Sequence, residues 1–168
     1  YLNKFGKLMF INVKFNNGIF NYGSHVVNTL LMIFNDKYKD FREIKILESN
    51  KLCAIFRVFF QNIPIYMNLR NKDNFSQFEI EFVFENKEII LSNGGRNWYF
   101  RSIKRDDKFK SNFIYSDLKY SEGGIIKSLE NAVQNISDNL LNNKKIKSNG
   151  FTALQTQILC DKLNNLLK

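Results

Sequence analysis

Two cysteines, one histidine and one proline stand in a chain of 168 residues, and each scarcity removes a class of protein. Two thiols cannot build a disulfide-dense scaffold or a four-thiolate zinc site. A single imidazole excludes a histidine-rich metal cluster, so no metal is expected. The eight glycines spell neither G-x-G-x-x-G nor G-x-x-x-x-G-K-[ST], which leaves the chain without a glycine-rich nucleotide loop of its own. No apolar run is long enough to cross a bilayer as a helix, and the first residues form no charged-then-apolar leader. No membrane partner is expected, and a reducing, cytoplasmic setting suits the unpaired thiols. Cys53 and Cys160 fall in apolar runs over residues 52–60 and 158–163 and are expected to be buried rather than nucleophilic.

What is present fits one folded domain over residues 1–168. The chain is 44% hydrophobic and 24% charged, too apolar for a disordered tail. Its net charge of +9 admits a polyanionic partner. The lysines alternate with Asp and Glu, however, and Lys, Asn, Ile and Phe are abundant while Pro and Ala are scarce. An AT-rich gene produces that mixture, so a dispersed basic surface is expected and nucleic acid is not.

Residues 7–15 alternate apolar and polar as a half-buried strand does. A turn at Asn16-Asn17-Gly18 follows, then a helix capped by Ser24 and running through Asn35, with Val26, Val27, Leu30, Leu31 and Phe34 at helical spacing. Strands are expected over residues 41–48, 52–60, 63–70, 76–85, 87–92 and 96–103, with turn signals between them, among them 71–74 and Asn93-Gly94-Gly95. Phe78, Ile80, Phe82 and Phe84 line one face of their strand. Residues 105–116 read as a loop or edge strand. Two apolar stripes at helical spacing, Ile125 to Leu141 and Phe151 to Leu167, close the chain around a polar loop at 144–150. The order predicts an α+β fold: an open, mostly antiparallel mixed sheet of about six strands with helices packed on one face. Its other, aromatic-rich face would bury itself against another copy or domain.

The chemistry-bearing cluster is Asn21-Tyr22-Gly23-Ser24-His25-Val26-Val27-Asn28. With a helix beginning at Ser24, His25 sits in the first turn and Asn28, three residues on, shares its face, away from the apolar stripe. The positive end of a helix disfavours imidazolium, and a neutral imidazole can take or give a proton. A histidine in that position also serves structurally, bonded to backbone. Glu79 and Glu81 share a strand face, an arrangement used in glycoside hydrolysis but commoner as a solvated face. Arg57, Arg70, Arg96 and Arg101 lie on or beside strands and suit bidentate phosphate binding. They interleave with Trp98, Tyr99 and Phe100 as on a stacking platform for single-stranded nucleic acid, or as core packing.

The stretch over residues 7–36, through KLMFINVKF and NYGSHVVN, resembles the segment opening the C-terminal domain of Gfo/Idh/MocA-type oxidoreductases: a strand, a Gly-Ser-His core and an apolar helix. EIEFVFENKEIILSNGG is similar to that family's paired strands, and SLENAVQNISDNLLNNKKIKSNGFTALQTQILCDKLNNLL to its two closing helices. Most members carry Asp four residues before the histidine and three after it; Asn21 and Asn28 stand there in this chain. The turn at Glu85-Asn86-Lys87-Glu88 lacks the family's glycines. The resemblance implies the C-terminal half of a longer protein, whose N-terminal dinucleotide-binding domain would hold NAD or NADP. It implies a sugar or nucleotide-sugar substrate, a homo-oligomer formed through the open sheet face, and His25 as the proton-transfer residue. Asn21, Tyr22, Ser24 and Asn28 would be its substrate-binding neighbours, and no residue of this chain would bind the cofactor. Two alternatives remain open: a non-catalytic basic module for single-stranded nucleic acid, with Arg57, Arg70, Arg101 and Trp98 on one exposed face, and a pure dimerisation domain, with His25 buried.

Overall fold

A computed structural model describes residues 5–34, 38–70 and 75–168; the helix end expected at Asn35 and the turn signal over 71–74 lie outside them. Nine strands form: β1 (Leu8–Phe15), β2 (Phe41–Ser49), β3 (Cys53–Phe60), β4 (Ile63–Arg70), β5 (Phe78–Phe84), β6 (Lys87–Ser92), β7 (Asn97–Arg105), β8 (Phe113–Tyr115) and β9 (Lys119–Glu122). They make one sheet in the order β2-β3-β4-β1-β5-β6-β7-β8, with β9 also paired to β7. Only β1 and β4 run parallel; the other pairs are antiparallel.

The fold is therefore α+β with a mixed, mostly antiparallel sheet, of nine strands rather than about six. The additional strands β8 and β9 have every side chain exposed, so they lack the alternation by which a half-buried strand is recognised. Among the strands they pair with β7, through backbone ladders and through side-chain contacts such as Arg101 over Tyr115 and Tyr99 against Tyr120.

The strand register aligns two rows across the sheet. On one face Phe56, Met67, Val13, Ile80, Leu91 and Trp98 stand side by side on six successive strands. All but Trp98 are buried, and Trp98, at the end of the row, is half-buried. On the other face the row is Arg57, Tyr66, Asn12, Glu81, Ile90, Tyr99 and Tyr120. Pleating sends successive side chains to opposite faces, so the apolar alternation read from the sequence becomes a dry face and a half-wet one.

Helices α1 (Ser24–Ile33) and α3 (Gly150–Asn165) cover the dry face. Val26, Val27, Leu30 and Leu31 of α1 meet the same core as Leu159, Cys160 and Leu163 of α3. Each such leucine contributes roughly 1.5–3 kcal/mol by leaving water. Asn149 begins α3 with a reciprocal cap: its side chain accepts from the Phe151 and Thr152 amides, and Thr152 Oγ1 accepts from the Asn149 amide.

Helix α2 (Ser128–Asn142) departs from the expected layering. It carries its apolar stripe at helical spacing, yet buries none of it. Leu129 and Leu140 are 77% and 76% exposed. Periodicity made it a helix with one oily side; nothing among the described residues covers that side.

Candidate functional site

The site begins where β1 ends. Asn16 is fully buried, its Oδ1 accepting the Gln77 amide at 3.0 Å and its own side-chain amide donating to the Phe75 carbonyl. Gly18 follows with φ 81°, and the chain winds into a π-helical turn over Ile19–Gly23, closed by the Gly23 amide donating to the Gly18 carbonyl at 3.1 Å. A Cβ on Gly23 would meet Phe15 Cε2 at 2.9 Å, so the buried Phe15 ring and the turn approach this closely only because residue 23 has no side chain.

That turn corrects two expectations. Ser24 does not cap α1; its hydroxyl donates to the Asn21 carbonyl at 2.6 Å, and no side chain caps the helix. His25 is not at a free helix end either. A helical turn already precedes Ser24, so the unpaired amides of the helix start lie a turn earlier, within residues 19–22.

His25 itself is exposed, and its imidazole has no hydrogen-bond partner among the described residues. Tyr22, His25, Asn28 and Thr29 form one wall of a cleft of about 850 Å³. The facing residues come from the turn after β6, from β7 and from the start of α2: Asn93, Gly94, Gly95, Arg96, Trp98, Ser128 and Asn131 among them. Thr29 Oγ1 donates to the His25 carbonyl at 2.8 Å, Asn28 Oδ1 accepts from Thr156 of α3 at 3.5 Å, and Tyr22 donates to Ser76 at 3.0 Å. Among the described residues the walls thus present hydroxyls, amides, one imidazole and one guanidinium, with no carboxylate. Neutral hydrogen-bonding groups beside an indole suit a hydroxyl-rich, partly apolar ligand.

The structure brings Tyr22, His25 and Asn28 together on the cleft and leaves Asn21 and Ser24 outside its lining. Arg96 and Trp98, read from the sequence only as general anion-binding and stacking candidates, belong to it. Thr29, Ser76, Ser128 and Asn131 carried no signal of their own. Thr29 alone was recoverable, four residues after His25 on the same helix face.

The remaining candidates lie elsewhere. Glu79 pairs with Lys14 at 2.7 Å and Glu81 accepts from Asn12 at 2.7 Å, both on the half-wet face. Arg57, Arg70 and Arg101 project from that face too, whereas Trp98 stands on the opposite one. Cys160 is buried as expected, and burial pushes its thiol up to about 12; Cys53 is only half-buried.

A dinucleotide finds no cradle in the described residues. The passage from β1 into α1 holds two separated glycines, Gly18 and Gly23, and the second is packed against Phe15, where a pyrophosphate loop needs a closely spaced set so that backbone amides can approach the phosphates.

No family model and no curated protein matches the sequence. Solved structures do. A dehydrogenase, MviM, from Clostridium difficile aligns with a TM-score of 0.64 at 14% identity, over 95% of this chain and 55% of its own. The UDP-N-acetylglucosamine 3-dehydrogenase GnnA from Acidithiobacillus ferrooxidans gives 0.65 at 6% identity, over 99% and 56%. A super-repressor mutant of Gal80p from Saccharomyces cerevisiae gives 0.69 at 12% identity, over 99% and 57%. The chain spans little more than half the length of these proteins, and across that span it has the fold of Gfo/Idh/MocA-type dehydrogenases.

Proposed function

We propose that this chain is the substrate-binding and oligomerisation domain of an NAD(P)-dependent oxidoreductase acting on a sugar or nucleotide-sugar hydroxyl, with His25 as the proton-transfer residue. One observation carries the reading. The only imidazole of the chain is exposed and unpaired on the wall of a cleft of about 850 Å³, within the size range of small-molecule sites. The shared fold supports it, since two of the proteins named above are dehydrogenases and one of them acts on a nucleotide-sugar.

Oxidising an alcohol requires the hydroxyl proton to leave as hydride leaves the carbon. A bound nicotinamide supplies the hydride acceptor. This chain supplies the proton acceptor: an imidazole nitrogen of His25 takes the hydroxyl proton and releases it to solvent through the open cleft. Asn28 and Thr29, on the same helix face, orient neighbouring hydroxyls of the substrate. The cofactor itself would be held by a dinucleotide-binding domain outside this chain. The half-wet sheet face, with Ile90, Tyr99 and Tyr120 in one row, suits contact with a second copy.

The competing readings fare worse. A nucleic-acid platform needs Trp98 beside Arg57 and Arg101, and the sheet separates them. A pure dimerisation domain gives no reason for an exposed, unpaired His25. Fold alone does not carry chemistry, so the imidazole is the point to test. The chain, joined to a dinucleotide-binding domain, is assayed for NAD- and NADP-dependent oxidation of nucleotide-sugars. The reading expects His25→Ala to lower kcat by at least ~100-fold. An unchanged kcat in that variant removes the proposed role.

A further inference from the structure

We propose that Arg96 makes the cleft selective for phosphorylated ligands, binding a phosphate of a hydroxyl-bearing molecule whose body lies against Trp98. The proposal rests on the cleft being the substrate site, as above, and adds what the site reads.

Four of the other five arginines are occupied, and the fifth, Arg42, stands exposed on β2, outside the cleft lining. Arg57, Arg70, Arg101 and Arg105 lie over Phe59, Phe75, Tyr115 and Phe113 at 5.3, 5.5, 4.0 and 5.7 Å, and Arg101 also meets Glu88. Arg96 has no side-chain hydrogen bond, ion pair or ring contact among the described residues. Among the described residues it is the one permanent charge on the cleft lining, where no Asp or Glu neutralises it. A guanidinium in a concave site without counter-charge concentrates anions there, and its planar fork matches two phosphate oxygens.

The base of the side chain is fixed while its head is free. The Arg96 amide donates to the Asn93 carbonyl at 3.4 Å, and the Arg96 carbonyl accepts from Gly123 at 2.6 Å. Two residues on, Trp98 lines the same cleft and offers a flat apolar surface. His25 stands on the α1 wall and Arg96 on the turn after β6, so a bound molecule is oriented with its charged end at that turn and a hydroxyl at the imidazole.

The cleft contains the chain's only tryptophan and its only histidine, which makes each an unlabelled single-site probe. The 168-residue chain is titrated with glucose, glucose 1-phosphate, UDP-glucose and inorganic phosphate. Trp98 fluorescence and the His25 ring-proton NMR signals are followed. Saturable changes are expected with the phosphorylated sugars and not with glucose at equal concentration. Arg96→Ala should weaken that binding roughly ten-fold or more and flatten its salt dependence, with Arg96→Lys between the two. Binding of UDP-glucose alone supports a nucleotide diphosphate as the source of the phosphate; binding of glucose 1-phosphate as well supports any sugar phosphate. Equal binding by wild type and Arg96→Ala overturns the proposal, as does equal binding of glucose, or no saturation by any phosphorylated probe. Arg96-dependent binding without any alcohol oxidation removes the oxidoreductase reading alone, and oxidation indifferent to Arg96 removes this one alone.

Discussion

Arg101 donates through Nε to Oε2 of Glu88, and the pairing leaves Oε1 of the same buried carboxylate open to accept from a protonated Glu81. Glu81 stands diagonal to Glu88 across β5 and β6 on the half-wet face, because Glu81 pairs with Ile90 and Val83 with Glu88. Desolvation raises the Glu81 carboxyl above its ordinary value, and its hydrogen bond to Glu88 raises it further. Desolvation pushes Glu88 the same way, but hydrogen bonds from Arg101 and Glu81 outweigh it and hold Glu88 below its ordinary value. One proton on Glu81 therefore serves both groups. The signs follow from linkage. The contribution of Glu81 is complete below the usual glutamate pKa and is lost as pH rises through its raised value. The contribution of Glu88 is present above the usual value and is lost as pH falls through its lowered one. Glu81→Gln keeps a neutral donor in place of the carboxylic acid. It should leave stability unchanged in acid and raise it above the Glu81 value by on the order of 0.5 kcal/mol, discounted for partial exposure. Urea unfolding as a function of pH reads this directly. Parallel wild-type and variant curves would contradict the shared proton.

Arg101→Met tests the same pair from the other side. It strands the Glu88 carboxylate, whose side chain is 2% exposed, without its cation. A loss of about 3 kcal/mol at neutral pH is expected, at the lower end for a broken buried pair because Arg101 is itself partly exposed. Unfolding free energies at neutral and acid pH check it, since protonation of Glu88 should recover part of the loss.

Gly123 should tolerate no side chain. An added Cβ would fall 1.9 Å from the Gly95 carbonyl oxygen, a backbone atom that cannot swing aside. The same residue ties β9 to the cleft turn through its bond to the Arg96 carbonyl. Gly123→Ala should cost about 1–3 kcal/mol and loosen residues 93–96. Thermal melting gives the first quantity and amide exchange at those residues the second; an unchanged melt would mean that the turn is not seated as described.

The two apolar helices after β9 should behave oppositely on mutation. Leu159 of α3 is 3% exposed, and Leu159→Ala should cost about 2–5 kcal/mol. Leu129→Glu with Leu140→Glu on α2 should change the chain's stability by no more than about 0.5 kcal/mol, because neither side chain leaves water on folding. Light scattering should show less self-association in the α2 variant. A large loss of stability there would mean that the stripe is covered after all.

That contrast marks what the sequence holds and what it does not. Phe78, Ile80, Phe82 and Phe84 announce a strand because a period of two is a local property, and Leu159 with Leu163 announces a helix in the same way. Whether a stripe finds a partner is set by chain topology, so Leu129 and Leu163 look alike in sequence and differ in burial. The site divides along the same line. His25 and Asn28 share a helix face by spacing alone. Arg96 and Trp98 reach that cleft only through the pairing of Leu91 with Trp98 and of Ile80 with Leu91, which no short window contains. The π-helical turn ahead of Ser24 has no residue signature beyond Gly18, which is why the helix start read one turn late.

The two thiols should separate by reactivity. Cys160 is 1% exposed, and burial raises its thiol to about 12, with the neighbouring Asp161 adding to the effect. At pH 8 its thiolate fraction is then about one in ten thousand, and the reagent must also wait for α3 to open. Cys53, half-buried on β3, has no such shelter. Iodoacetamide at pH 8 should therefore add one label to the native chain, on Cys53, and a second only as fast as the protein opens. In denaturant both sites should react at similar rates. Mass spectrometry of a time course distinguishes the cases: two labels appearing together in native buffer would mean that α3 does not seal Cys160 against the sheet.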